Sequence, residues 1–230
     1  SMKALAGAKL EVIDPAILEA LGLTNMIDFT VITNYFGYAM QFITLAIMIV
    51  VTQRAVGLLY KEEADGTVEY LCSKPVSRSE VFFQKGLAHI VTLLIMIIAC
   101  IVVTVVGYLQ VTEYTFAEAV NEAIILFGGV LFVAFIFSAI GILVSAILKG
   151  GKGVGGISLG IVLGTFLIGI SSALIESLDF LKWLSPMDWI KTAKLMTEGI
   201  LPEEWIVGII VIVGCTVAAW IRYGRKDLLI

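Results

Sequence analysis

Residues equipped for covalent or metal chemistry are few in this 230-residue chain. The single histidine, His89, opens a long apolar run and lacks the partners that a His-based zinc site requires. Cys72, Cys100 and Cys215 are spaced for neither a disulfide framework nor a thiolate metal centre. The last two lie in apolar runs and read as small packing residues. One glycine cluster stands near lysine, Lys149-Gly150-Gly151-Lys152-Gly153-Val154-Gly155-Gly156. It lacks the G-x-x-x-x-G-K-[ST] order and no strand precedes it, so it reads as a tight turn and not as a phosphate cradle. There is no H-E-x-x-H and no acid pair within an apolar run. No catalytic, metal-ligating or cofactor-binding residue is predicted.

Polar chemistry concentrates instead in one segment, Tyr60 to Glu80. Tyr60-Lys61-Glu62-Glu63 reads as the polar end of a long helix, and Asp65-Gly66 breaks it. A helix about eight residues long follows, with Val68, Leu71 and Cys72 on one face. Pro75 stops that helix, and Ser77-Arg78-Ser79-Glu80 has the pattern of a capping box opening the next one. A helix this short is unstable alone and must pack on something. Two readings are open at this point: a partner's groove at the membrane surface, or the chain's own membrane helices.

Long apolar elements must position this segment. The chain is 60% hydrophobic and 15% charged, against about one quarter charged in a soluble domain. Its mean hydropathy is +1.03. Five stretches can span a bilayer: Val31 to about Thr52, Gly86 to Leu109, Ala123 to Leu148, Ile157 to Leu174 and Trp205 to Ile221. Each must be helical to satisfy its own backbone. The fold class is therefore all-α and polytopic. Polar groups within the spans are neutral (Gln41, Thr44, Thr92, Thr104, Ser138, Ser145, Thr165, Ser171 and Ser172) and suit either hydrogen bonds between helices or a pathway for an amphipathic solute. Gly156, Gly160 and Gly164 recur every four residues, a spacing that admits a close helix neighbour, and Gly128-Gly129 marks another close or flexible point.

Loop charge gives the orientation. Segments 53–85, 149–156 and 222–230 hold ten basic and six acidic residues, and the rest of the chain holds five basic and thirteen acidic. The positive-inside rule puts the first set, with the C-terminus, in the cytoplasm. The N-terminal end then lies outside, and residues 1–30, with Asp14-Pro15 as a helix start and Gly22 as a stop, read as an extracytoplasmic connector. A preceding span, giving six in all, is the expectation. Trp205, Trp220, Tyr35 and Tyr108 fall near span ends as interfacial belt residues. The extracytoplasmic connection 175–204 reads as a short interfacial helix, a turn at Ser185-Pro186, and a second short helix to about Thr197.

The run Glu62-Glu63, Gly66-Thr67-Val68-Glu69-Tyr70-Leu71, Pro75-Val76-Ser77-Arg78 and Lys85 resembles the hallmark of type-2 ABC exporter permeases. Tyr223-Gly224-Arg225-Lys226-Asp227-Leu228 and Leu184-Ser185-Pro186 are similar to that family's ending and to its last extracytoplasmic connection. The resemblance implies one transmembrane permease domain over 1–230, with 53–85 as the connection carrying a coupling helix. Glu62, Glu63, Gly66, Thr67, Val68, Glu69, Leu71, Pro75 and Arg78 become the coupling residues. Val68 and Leu71 would anchor the helix in the ATPase, Glu62, Glu63 and Glu69 would select the partner by charge, and Arg78 and Lys85 would meet headgroups or the partner's acids. ATP and Mg would be bound by a separate ABC ATPase subunit. The other implied partners are a second permease copy and membrane lipid, with no nucleic acid, in the plasma membrane of a prokaryotic cell. The competing class, an ion-coupled secondary transporter or channel, predicts intramembrane acids or an inverted repeat, which the sequence lacks. A membrane-embedded enzyme fits less well still.

Overall fold

A computed structural model describes residues 32–67, 76–111, 115–148 and 153–226. Among them are seven α-helices and two 3-10 segments: α1 Ile32–Gly57, α2 Lys61–Ala64, α3 Arg78–Val111, α4 Phe116–Ile147, α5 Val154–Leu174, the 3-10 helices Glu176–Leu184 and Asp188–Ile190, α6 Thr192–Thr197 and α7 Pro202–Gly224. No strand occurs among the described residues. Five of the helices are long and apolar enough to cross a membrane. At 34 residues, α3 is about 51 Å long and outreaches a hydrocarbon core of about 30 Å, so its ends project. The helices overrun the predicted spans, and at the starts of α3 and α4 capping residues set the boundary. Ser77 and Glu80 form the predicted box at the start of α3, with Ser77 N–H donating to Glu80 Oε2 at 2.7 Å and Glu80 N–H to Ser77 Oγ at 3.2 Å. Thr115 and Glu118 cap α4 reciprocally in the same way.

The bundle is built around α4. Its most apolar window is 61% buried, against 17% for those of α3, α5 and α7, so α4 is the core helix and the other three face outward. α1, α3 and α7 all pack on α4, and α5 leans on α1. Core residues include Met48, Val51, Phe127, Val133, Ile136 and Phe137. The exposed sides of α3, α5 and α7 carry large apolar residues such as Ile95, Val103, Leu167 and Ile210, as a lipid-facing surface must.

Four glycines set the closest approaches. A Cβ on Gly141 would stand 2.6 Å from Ala55 Cβ, where α4 crosses α1. One on Gly208 would stand 2.3 Å from Phe132 Cζ, between α7 and α4. Gly129 accepts Leu195 of α6 against α4, and Gly169 accepts the Ser185–Asp188 turn against α5. The predicted stripe behaves differently: a Cβ on Gly156, Gly160 or Gly164 would meet nothing within 4 Å. Gly128 is likewise open, and its neighbour Gly129 is the close point.

Two expectations are corrected. The first span does not run unbroken to Glu63. It ends at Gly57, and Leu58–Tyr60 form a turn before α2, because Leu59 N–H donates to Ser145 Oγ of α4 at 2.9 Å and not into its own helix. Tyr108 is not a belt residue: it is 4% exposed and its ring lies 5.0 Å from that of Phe36. The short helix expected after α5 is present as the 3-10 helix Glu176–Leu184. Trp205 and Trp220 are exposed near opposite ends of α7, where belt residues belong. The side chain of Tyr35, the connector around Asp14-Pro15 and Gly22, and the turn residues 149–152 lie outside the description.

The intramembrane hydroxyls divide in two. Thr92, Thr165, Ser171 and Ser172 donate to carbonyls of their own helices. Ser138 and Ser145 of α4 bond across the bundle, to His89 Nε2 at 2.9 Å and to Leu59 N–H. These two fix helix to helix in the way expected of small polar groups away from water.

Candidate functional site

The described part of the connection after α1, residues 58–67, folds back onto one end of the bundle. Its first half is a compact elbow: α2, then a turn closed by Asp65 N–H to Lys61 O at 2.9 Å and Thr67 N–H to Glu62 O at 2.9 Å. Gly66 sits at φ +68°, the left-handed region that a side chain disfavours, so the predicted break at Asp65-Gly66 is where the chain turns. Lys61, Asp65, Gly66, Thr67, Val76 and Arg78 are all exposed around this elbow. Val68, Glu69, Leu71 and Pro75 lie outside the described residues.

Two lysines tie the elbow to the rest of the molecule. Lys85, on the second turn of α3, pairs with Glu62 and donates to Leu58 O at 2.9 Å, bridging the end of α1 to α3. Lys226, just beyond α7, is 1% exposed. Its Nζ pairs with Glu63 Oε1 at 2.8 Å and also donates to Leu148 O at the end of α4. Arg78 donates from Nη1 to the Lys226 carbonyl, and Trp220 Nε1 donates to Ser79 Oγ at 3.2 Å. Below this layer Leu59, Phe82, Ala146, Ala219 and Tyr223 form a small apolar cluster of their own.

Described parts of two of the basic segments, 53–67 with 76–85 and 222–226, thus meet beside the end of α4. Their roles differ in one respect. Glu62 and Glu63, expected to select a partner by charge, are engaged by Lys85 and Lys226 of the same chain. Arg78 and Lys85, expected to face headgroups or a partner's acids, are likewise engaged within the chain. The short connection brings opposite charges together where burial strengthens their attraction. Glu63 is only 2% exposed on its side chain, and its Oε2 has no hydrogen-bond partner among the described residues. Nothing in the spacing reveals that Lys226 reaches back across 163 positions to Glu63.

The opposite end has a smaller polar anchor that the sequence reading missed. Glu204 on the first turn of α7 is buried, accepts from Leu201 N–H at 2.9 Å and pairs with Lys194 of α6. The L-x-x-E spacing was legible; the lysine partner was not. Lys191 and Asp188 pair at 2.9 Å nearby, and Thr192 Oγ1 donates to Gly37 O at 3.4 Å, fastening the loop to α1.

No group of three or more His, Cys, Asp or Glu residues arranged to hold a metal occurs among the described residues. The exposed elbow is joined by two ion pairs to α3 and to the residue after α7, and the same two lysines donate to carbonyls at the ends of α1 and α4.

The architecture is that of a polytopic helical membrane domain with a clamped polar connection after its first described span. The family model described as ABC-2 family transporter protein matches residues 12–228, and the chain belongs to that family. It is a membrane-spanning permease domain of an ABC transporter, a class that works with an ABC ATPase. No curated protein and no solved structure matches it significantly.

Proposed function

We propose that the chain is the permease subunit of an exporter for an amphipathic solute (drug, lipid or peptide) and that a separate ATPase subunit docks on the elbow after α1. The observation that carries this is the clamp: Glu62, Glu63, Arg78, Lys85 and Lys226 fuse the elbow to the ends of four spans. Docking on Gly66–Ser73, with Val68 and Leu71 as apolar anchors and Glu69 and Thr67 beside them, passes ATPase motion into α1 and α3. With Glu62 and Glu63 paired internally, partner selection by charge falls to Lys61, Asp65 and Glu69. The surplus of basic residues at this end supports a cytoplasmic location for it and for the C-terminus, in the plasma membrane of a prokaryotic cell. The neutral lining of the spans supports an amphipathic cargo over a coupling ion.

Two copies pair around the pathway in this reading. The open glycine stripe Gly156, Gly160 and Gly164 on α5 supports it, since it offers a second copy close backbone approach and no helix among the described residues fills it.

The test is co-purification and coupled activity. Leu71→Asp should abolish retention of the ATPase in a detergent extract, or leave it bound with ATP hydrolysis no longer producing export, while membrane insertion is unchanged. Full export with the variant, or gradient-driven transport without any ATPase, overturns the proposal.

A further inference from the structure

We propose that a lateral groove between α1 and α3 holds the headgroup of an anionic phospholipid from the leaflet on the elbow side. Among the described residues the two helices both lie on α4 but touch each other little, which leaves a shallow surface groove at the side of the bundle. Arg54 and His89 form its outer end; Thr92, Val50, Leu93 and Met96 carry it deeper. The order along the helices sets the polarity. Lys85 Nζ and Leu58 O mark the charged layer, and Arg54 and His89 each lie four residues, about 6 Å, further in. Val50 and Met96 are deeper still, so the groove runs from a cation to an apolar floor, matching a phosphate followed by an acyl chain.

Arg54 is exposed and makes no ion pair or hydrogen bond among the described residues. It differs in this from Arg78, Lys85 and Lys226, which are all engaged. A guanidinium one turn along α1 from the charged layer can reach a headgroup, and its planar fork suits a phosphate. The walls are fixed beforehand: Ser138 holds His89 Nε2 at 2.9 Å, and Thr92 Oγ1 donates to Ala88 O at 2.8 Å. Basic pockets between spans are known to take acidic headgroups. The inference needs only that the chain spans a bilayer and stands whether or not the transport reading holds.

The test uses the full chain in nanodiscs of phosphatidylcholine containing a minor fraction of phosphatidylglycerol. Native mass spectrometry then counts the phosphatidylglycerol retained on release. The wild-type chain should retain it preferentially. Arg54→Gln should reduce retention about fivefold, the effect of one basic residue at an anionic surface. Arg54→Lys should keep part of it. Val50→Trp, which leaves the charge and fills the groove, should also reduce it, and thermal midpoints in pure phosphatidylcholine report whether each variant is folded. Equal retention by wild type and Arg54→Gln, or full retention by a folded Val50→Trp, overturns the proposal. So does release of the lipid in step with ATP turnover by the assembled transporter, which would assign the groove to the cargo.

Discussion

At the scale of single residues, Lys226 holds the most. A fully buried ammonium with one carboxylate and one carbonyl as partners has no stable alternative if either charge is removed alone. Lys226→Met leaves Glu63 buried and uncompensated, a situation that typically costs about 3–5 kcal/mol. The thermal midpoint in detergent should fall accordingly, and the double variant Glu63→Gln with Lys226→Met should recover most of the loss. A double-mutant cycle on these four proteins measures it, and additive losses would show that the two side chains do not interact. Ser145→Ala tests the other buried anchor. It strands the Leu59 N–H, at a cost of about 1–3 kcal/mol, and should accelerate hydrogen exchange at that amide before any global change. Neither residue is remarkable in the sequence, where Ser145 is one small polar group among several and Lys226 one base in a basic tail.

At the scale of elements, the glycines divide into those that hold two helices together and those that leave a face open. Gly141→Leu places a side chain against Ala55 and the Thr52 carbonyl, so α1 and α4 must separate. Overpacking of this kind typically costs about 1–3 kcal/mol, and loss of folded monomer on size exclusion would register it. Gly66 belongs to neither group. Its positive φ makes Gly66→Val strained by about 1–2 kcal/mol, which should weaken coupling while leaving the spans inserted. ATP hydrolysed per solute exported, compared between variant and wild type, is the measurement. The capping boxes show how far local sequence reaches. S-x-x-E at Ser77 announced the start of α3 in advance because both partners lie within one turn. The break after Gly57 was not announced, because the groups responsible, Ser145 and Lys85, arrive from other helices.

At the scale of the whole molecule, the stripe on α5 is open among the described residues. Gly160→Leu adds bulk where nothing stands within 4 Å, so the monomer should fold with an unchanged midpoint while cross-linking between copies falls sharply. A variant that dimerises as before would place the contact elsewhere. The central position of α4 was similarly beyond the sequence. Its run is the most buried of the five spans, yet all five read alike as apolar segments, since lipid and protein interior select the same side chains.

Hydropathy and loop charge alone determined that the chain is a helical bundle with five spans in view and one basic end. Those properties are sums over many residues, and no single contact can reverse them. Tertiary structure alone decided that Glu62 and Glu63 face inward to lysines, that Tyr108 is packed against Phe36, and which glycines are close points. Each of these depends on a partner brought from a distant part of the chain, and a pattern of spacing contains no information about which distant residue that partner is.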